Sequence, residues 1–284
     1  MDIAGSVALV TGGGRGLGRV LGTALAGAGC RVGFIARSAA ELAVSVAEVR
    51  AAGGVAAAAT ADLTSPTEAA AAIGELRAEL GPVDLLVNNA GVSGTVGPMW
   101  TVPEEEWWRT IEVNLRGVGL CSRAVLPEMV ERRRGRIITI TSNAGVHRWP
   151  WATSYAISKT AAVKFTENLA IETARYGVRV FSVDPGLLRI GLSSAAFSAT
   201  DELNGPEAIM NAWVRREIAA GRGAEPAQAV EVVRRIAAGE VDGLSGRHIS
   251  VHDDLDAMLT RCAEVRRDDL HVLRIRHHAD EAAS

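Results

Sequence analysis

The chain has 284 residues, of which 48% are hydrophobic and 22% charged, proportions that exclude a disordered or fibrous protein. A formal net charge of −3 gives no general attraction for nucleic acid or an anionic membrane, so neither is expected as a partner. The three cysteines are too widely spaced for a disulfide framework or a cysteine zinc site. The first residues lack a signal-peptide pattern, and no apolar stretch is long enough to span a bilayer. We therefore expect a cytoplasmic protein without a metal site.

Short β-branched segments alternate with longer segments rich in alanine, leucine and glutamate, a pattern typical of βαβ units. The predicted strands are residues 7–11, 31–36, 55–60, 83–89, 136–142, 178–184 and 247–251. The predicted helices are residues 16–28, 39–51, 66–80, 104–131, 152–176 and 226–238. This order predicts an α/β fold, a doubly wound and mostly parallel sheet of seven strands in a single domain.

Two regions interrupt the alternation of strands and helices. Residues 187–225 form a connection long enough to be a helical substrate loop. Residues 253–284 form a charged C-terminal extension beyond the main domain of residues 1–252. Within the extension, residues 254–265 have the pattern of a helix, and residues 271–276 that of a short added strand.

A glycine-rich turn follows the first predicted strand and opens the first predicted helix. Its spacing is T-G-x-x-x-G-x-G, beginning at Thr11. Glycine lets the backbone approach a pyrophosphate, and a helix N-terminus presents N–H donors and the positive end of the helix dipole. The alternative is an ordinary glycine-rich turn. The motif predicts a dinucleotide site built from Gly12, Arg15, Gly16, Leu17 and Gly18.

Further motifs make the sequence similar to the short-chain dehydrogenase/reductase family. Asn88-Asn89-Ala90-Gly91 ends the fourth predicted strand, and Pro185-Gly186 follows the sixth. Tyr155 precedes Lys159 by four residues in a chain with only 2 tyrosines. Ser142 ends the fifth strand, thirteen residues before that tyrosine, and Asn114 lies in the helix after the fourth strand. The resemblance extends from residue 7 to about residue 251 and implies a Rossmann-like fold and nicotinamide-dependent oxidoreductase activity.

The candidate catalytic residues are of types that suit proton transfer to a carbonyl oxygen. Residues four apart share one face of a helix, so Tyr155 and Lys159 point the same way. We expect the lysine ammonium to lower the pKa of the phenol, which makes Tyr155 a general acid for a carbonyl or a base for an alcohol. Ser142 would donate a hydrogen bond to the same oxygen. The resemblance implies that Lys159 also holds the nicotinamide ribose and that Asn114 anchors a water feeding protons through that lysine.

The second predicted strand favours NADP over NAD as the cofactor. NAD sites usually place an acidic residue at the end of this strand, where the present sequence has Arg37. A guanidinium suits a 2′-phosphate, and Arg15 offers a second one from the glycine-rich turn. The alternative is that both arginines are merely solvated.

Other cofactor contacts follow from the resemblance alone. Asp62, which alternatively caps a helix, matches the family's adenine-contacting aspartate. Ile190 stands where the family commonly has a threonine that holds the nicotinamide carboxamide. The remaining residues assigned to the cofactor by their motifs are Leu63, Asn89, Ala90, Gly91, Tyr155, Lys159, Pro185 and Gly186.

Aromatic residues are frequent near the expected active site. Trp149 and Trp151, with His147 and Trp213, either line a pocket for an apolar or cyclic substrate or pack at the surface. The sequence thus predicts an NADP(H)-dependent oxidoreductase that reduces a ketone or aldehyde or oxidises a secondary alcohol. The alternative function is a catalytically silent NADP-binding regulator.

The C-terminal extension and the family resemblance also bear on assembly. The resemblance implies a homodimer or homotetramer. Apolar residues of the extension, Leu255 and Met258 among them, would be left exposed in a monomer. We therefore expect residues 253–276 to dock on a neighbouring subunit and residues 277–284 to be disordered.

Overall fold

A single parallel sheet of seven strands forms the centre of the computed structural model, which describes residues 3–194, 197 and 205–275. The strands are β1 Val7–Thr11, β2 Arg31–Ala36, β3 Val55–Thr60, β4 Val83–Asn88, β5 Gly135–Ile140, β6 Val178–Asp184 and β7 His248–Ser250. All seven predicted strands are therefore present, with ends that differ by at most two residues. Their order across the sheet is β3-β2-β1-β4-β5-β6-β7, and every neighbouring pair is parallel. The predicted doubly wound fold is confirmed.

Helices cover both faces of this sheet. They are α1 Gly16–Gly27, α2 Ala39–Ala51, α3 Pro66–Leu80, α4 Glu104–Ile111, α5 Gly117–Glu131, α6 Thr153–Thr173, α7 Pro206–Ala219, α8 Pro226–Ala237, α9 Leu255–Thr260 and α10 Cys262–Arg267. The predicted helix over residues 104–131 is confirmed in its bounds, and a π-helical segment at Glu112–Arg116, which was not predicted, joins α4 to α5. Among the described residues, every helix is too short or too polar to cross a bilayer.

Successive residues of a strand point to opposite faces of the sheet and belong to two separate apolar cores. Ala8 and Val10 of β1 belong to the core under α1, α2 and α8, whereas Val7 and Leu9 belong to the core under α3, α5 and α6. Such burial on both faces is what makes the central strands nearly continuous apolar runs. The order of the strands reverses where β1 lies beside β4, so a crevice opens at the carboxyl ends of these two strands, the usual place for a ligand in such a sheet.

The C-terminal extension packs on its own chain. Leu255, Met258 and Val265 are each less than 8% exposed and belong to the same apolar core as α1 and α8. The expectation that Leu255 and Met258 need a neighbouring subunit to cover them is therefore wrong. The helix expected over 254–265 forms as the two short helices α9 and α10.

The next part of the extension contacts α6, and its described residues 271–275 do not form the strand that was expected over 271–276. Over residues 271–275 the chain makes one backbone hydrogen bond to β7, in which the His248 N–H donates to the His271 carbonyl. The Leu273 N–H and the Arg274 guanidinium then donate to the buried carboxylate of Glu167 on α6, at 2.6 and 3.1 Å. Residues 277–284, expected to be disordered, lie outside the described residues.

Candidate active site

The glycine-rich turn has no room for side chains at its key positions. Gly12 and Gly16 have positive φ, 64° and 53°, a conformation that glycine adopts without strain. A Cβ at Gly18 would lie 2.3 Å from the Gly12 carbonyl oxygen, and one at Gly12 would lie 2.9 Å from the Ala90 Cα. No side chain caps the N-terminus of α1, whose first N–H groups stand beside the turn. The turn therefore offers a close backbone surface with free donors, as a pyrophosphate site requires.

The ends of β1 and β4 are tied together next to this turn. The Asn89 side-chain amide donates to the Thr11 carbonyl at 2.9 Å, and the N–H groups of Asn89 and Ala90 both donate to the Thr11 hydroxyl at 3.0 Å. Gly91 follows, where a Cβ would lie 3.1 Å from the Asn114 side-chain oxygen. The N-N-A-G motif is thus explained by these contacts, which fix the carboxyl ends of β1 and β4 relative to each other beside the crevice.

Asn114 lies at the centre of the π-helix and is 99% buried. Its Oδ1 accepts from the Val92 N–H at 2.8 Å, while its Nδ2 donates to the Val92 carbonyl and the Ser158 hydroxyl at 2.9 and 3.0 Å. The side chain thus joins the loop after β4 to α6. The expected role in anchoring a water stays a prediction.

Ser142, Tyr155 and Lys159 converge on one cavity at the carboxyl ends of β4, β5 and β6. Ser142 follows β5, and its hydroxyl lies close enough to the Tyr155 phenol to affect the pKa of that phenol. The Lys159 Nζ lies 5.7 Å from the centre of the Tyr155 ring and donates to the Ile140 carbonyl at 2.9 Å. The three side chains therefore meet as their spacing predicted.

The expected lowering of the Tyr155 pKa is not found. Burial raises the pKa of Tyr155 to about 12, and the nearby Asp184 carboxylate adds to the rise while the Ser142 hydrogen bond opposes it. Burial lowers the pKa of Lys159 to about 8, although the Asp184 charge works in the other direction. The prediction failed because the lysine ammonium turns to the Ile140 carbonyl, so desolvation governs the phenol. At neutral pH, the site holds a protonated phenol beside a charged lysine.

Exposed charges surround the other end of the same cavity. Arg37 and Arg15 both line it, and the Arg15 side chain, 80% exposed, lies 3.8 Å from the Glu41 carboxylate. Within the part of the chain that the structure describes, Arg37 forms no ion pair. Both predicted arginines are therefore placed where an anionic group in the cavity could meet them.

Asp62 also lines this end, and its carboxylate already has partners. The Thr64 N–H and hydroxyl donate to one oxygen, at 2.9 and 2.7 Å, and the Arg109 guanidinium donates to the other at 3.1 Å. The Thr64 hydrogen bonds, with help from Arg109, hold the pKa of Asp62 down to about 2. Sequence reasoning missed Arg109, because its helix follows a different strand and no local motif links the two residues.

The aromatic residues are only partly where the sequence predicted. Trp149 lines the cavity, with its ring centre 6.2 Å from that of Tyr155. Trp213 of α7 contacts Trp149 edge to face at 5.2 Å, outside the cavity lining. His147 and Trp151 do not line the cavity. Of the four residues expected to form a pocket, only Trp149 lines it, and Trp213 packs behind Trp149.

The cavity, about 970 Å³ in volume, includes nearly all the candidate residues. This volume is at the upper end of the range of roughly 300–1,000 Å³ for ligand sites. Gly18 and Asn114 lie behind the lining and shape it. Asp184, which precedes Pro185 at the end of β6, also lines the cavity and was missed. An acidic residue at the carboxyl end of a buried strand is the signal that could have identified it.

Comparison with known proteins agrees with this geometry. The chain is 34% identical to a short chain dehydrogenase of Pseudocercospora fijiensis, over 96% of this chain and 90% of that protein. It is also 34% identical to the 2,3-dihydro-2,3-dihydroxybenzoate dehydrogenase of Bacillus subtilis, over 88% and 94% of the two chains. A crystal structure of an actinorhodin polyketide ketoreductase variant with NADPH superposes with a TM-score of 0.79 and 31% identity, over 88% of this chain and 97% of that one. The sequence profile of the short chain dehydrogenases matches residues 6–200, and the chain therefore belongs to that family.

Proposed function

We propose that the protein is an NADP(H)-dependent oxidoreductase that reduces a ketone or aldehyde, or oxidises the corresponding secondary alcohol. The observation that carries the proposal is the convergence of Ser142, Tyr155 and Lys159 on the cavity that the glycine-rich turn also lines. The residues present suit a dinucleotide, because the close packing at Gly12 and Gly18 leaves no room for a Cβ and keeps the turn a bare backbone surface. With its pyrophosphate held by that turn, the cofactor would supply or accept the hydride at its nicotinamide.

The protein's own residues would manage the proton and the carbonyl oxygen. Tyr155, held in its protonated form by burial, donates its proton to the developing alkoxide. Ser142, which lies beside the same phenol, turns its single hydroxyl proton to the substrate oxygen and orients it. Lys159, anchored on the Ile140 carbonyl, supplies a positive charge that favours the phenolate left behind. In alcohol oxidation the same proton moves in reverse.

The preference for NADP over NAD rests on the charges at the other end of the cavity. Arg37 lines it without an internal ion pair among the described residues, so its guanidinium can bind a 2′-phosphate through two parallel hydrogen bonds. Arg15 can add a second contact on leaving Glu41, from which it is separated by 3.8 Å. The actinorhodin ketoreductase relative was solved with NADPH, in line with this choice.

The substrate class is set by the wall beside Tyr155. Trp149 presents an indole ring there, and Met210 and Val214 of α7 extend the apolar lining. An aromatic or cyclic carbonyl compound would bury against this wall, since aromatic rings stabilise each other beyond their buried area. The Bacillus subtilis relative is named for a substrate that carries a six-membered ring.

The assembly proposed for the protein is a homodimer or homotetramer. Ile157 and Ile171 of α6 are 49% and 79% exposed, and Trp108 of α4 is 52% exposed. Exposed apolar side chains on two adjacent helices are suited to burial against a second copy. Light scattering of the full chain measures the assembly directly, and a monomer would contradict this part of the proposal.

The decisive experiment is consumption of NADPH with a panel of cyclic and open-chain ketones. We expect turnover with at least one cyclic ketone, and slower turnover when NADH replaces NADPH. Tight NADPH binding by calorimetry without turnover on any ketone, aldehyde or alcohol would favour the catalytically silent regulator instead.

A further inference from the structure

Asp184 is a buried carboxylate in the cavity that the proposed chemistry does not use. It is 5% exposed and ends β6, directly before Pro185-Gly186. One oxygen accepts from the Gly186 N–H at 3.1 Å, and the other is 3.5 Å from the Ser250 hydroxyl, a long and therefore weak contact. Among the residues that the structure describes, no arginine, lysine or histidine lies within ion-pair distance of it. A carboxylate so placed is costly unless another charge in the site compensates it.

Lys159, on α6, is a buried positive charge, as Asp184 is a buried negative one. It is 4% exposed, and the Ile140 carbonyl is the acceptor that its ammonium contacts. Both side chains line the same cavity, and the Ile140 carbonyl that holds the ammonium belongs to a residue paired with Val183, the neighbour of Asp184 in β6. The Asp184 charge raises the pKa of Lys159, against the larger effect of burial. Because both side chains are at most 5% exposed, water screens their interaction less than it screens a surface ion pair.

The other titratable groups near Asp184 do not supply the charge that would balance Asp184 or Lys159. His248 of β7 lies against Thr141 and Ser182 through its Nδ1, and burial lowers the pKa of its imidazole, so it is neutral at physiological pH. The Asp184 and Asp253 carboxylates raise the pKa of His248, and His271 and His147 lower it, but burial is the largest of these effects. His252, after β7, faces the Cα of Gly186. From α6, Tyr155 and Lys159 are the titratable groups that line the cavity, whereas Lys164 and Glu167 pair with each other outside its lining.

We propose that Asp184 is the counter-ion of Lys159 and that its negative charge keeps both the lysine and the tyrosine of the site protonated over the working pH range. A negative charge favours the ammonium over the neutral amine and the neutral phenol over the phenolate. Removal of the charge therefore lowers the pKa of both groups. Asp184 is a positioning residue in this sense, because it acts on the reacting atoms through two other side chains. The role of these two side chains in catalysis rests on the function proposed above, whereas their titration does not.

The test is a titration of Lys159 itself, in the full chain without cofactor or substrate. The chain has only two lysines, Lys159 and Lys164, so protein labelled with ¹³C-lysine gives two side-chain signals, and Lys164→Arg assigns them. Wild-type Lys159 should titrate near pH 8. In Asp184→Asn its midpoint should fall by about one pH unit, the order expected of one charge across a partly buried site. Lys164, which pairs with Glu167, is the internal reference and should titrate identically in both proteins.

Matched variants separate charge from shape. Ser250→Ala keeps the carboxylate and removes its weak contact, and it should leave the Lys159 midpoint unchanged. Asp184→Glu should restore the wild-type midpoint, and Asp184→Ser should reproduce the effect of Asn if the Asn variant does not fold. An unchanged midpoint in the folded Asn or Ser variant would overturn the proposal, and so would an equal shift in Ser250→Ala.

Activity gives a second and independent readout. If the protein reduces ketones, the alkaline limb of kcat/KM should move to lower pH in Asp184→Asn by the same interval as the lysine signal, because kcat/KM reports the free enzyme. A protein that catalyses no reduction would refute the proposed function while leaving the lysine titration fully interpretable.

Discussion

The two ends of the cavity are built on opposite principles. At the end near the glycine-rich turn, the backbone shapes the site, and the charged groups, Arg15 and Arg37, are exposed. At the end near Tyr155, side chains shape the site, and Lys159 and Asp184 are each at most 5% exposed. Exposed charges are screened by water and salt, whereas buried charges are screened much less. The first end is therefore suited to selecting a cofactor, and the second to adjusting proton affinity.

The largest effect should come from the buried end. Tyr155→Phe removes the proton donor but keeps the ring against Trp149, so kcat should fall at least about 100-fold with little change in NADPH affinity. Steady-state kinetics and calorimetry measure the two quantities. Tyr176→Phe, at the other tyrosine of the chain, is the matched control and should behave like wild type. Retention of most activity by Tyr155→Phe would remove the phenol from the reaction.

The next effect tests whether the opposite end depends on its backbone. In Gly18→Ala the new Cβ meets the Gly12 carbonyl at 2.3 Å, so the turn must shift. Overpacking of this kind costs about 1–3 kcal/mol. NADPH affinity should fall about tenfold by calorimetry.

Gly27 on the same helix provides the control for this substitution. A Cβ there has no neighbour within 4 Å. Gly27→Ala should raise the free energy of unfolding by about 0.5–1 kcal/mol and leave NADPH affinity unchanged. Equal cofactor affinity in the two variants would mean that the turn does not hold the pyrophosphate.

A smaller effect is expected where the charges are exposed. Arg37→Asp should change the ratio of kcat/KM for NADPH over NADH about tenfold toward NADH, since a carboxylate repels the 2′-phosphate and accepts from a 2′-hydroxyl. Arg77→Asp, on α3 and away from the cavity, changes the net charge equally and should leave that ratio as it is. A ratio that responds to both variants alike would assign the effect to net charge.

The smallest effect is expected from Trp213, which packs behind Trp149 of the cavity lining. Trp213→Leu removes the edge-to-face partner of Trp149, so the KM for a cyclic ketone should rise roughly two- to tenfold with kcat nearly unchanged. Trp100, 86% exposed, is the control position, and Trp100→Leu should have no effect on KM. A change in kcat alone would indicate that Trp213 acts on the reacting atoms and not on substrate binding.

The fold was predictable from the sequence because strand and helix periodicities are local. The alternation of apolar runs identified all seven strands, and the glycine-rich turn identified the carboxyl end of β1. The π-helix around Asn114 was not predictable, since its wider hydrogen bonding leaves no mark in composition. The strand expected at 271–276 was wrong because an apolar alternation also suits an extended segment that packs on a helix.

The sequence predicted most of the residues that form the candidate site, but not the directions in which their pKa values are shifted. Helical spacing places Tyr155 and Lys159 on one face, yet it says nothing about where the lysine ammonium turns or how deeply the phenol is buried. Asp184 escaped notice because its effect on the site depends on β6 lying beside β5, a relation between distant segments. Long-range placement, not local pattern, determines the proton affinities of the site.

The tie between the C-terminal extension and α6 makes chain length a constraint on the protein's evolution. Glu167 is 6% exposed, and two of its hydrogen-bond donors, the Leu273 N–H and Arg274, come from the extension. A deletion that removes residues 253–284 would leave this carboxylate with Lys164 and would uncover the apolar positions now filled by α9 and α10. Shortening would thus have to be matched by replacement of Glu167 and of the core residues beneath the extension. The extension and the helix that carries Tyr155 must therefore change together.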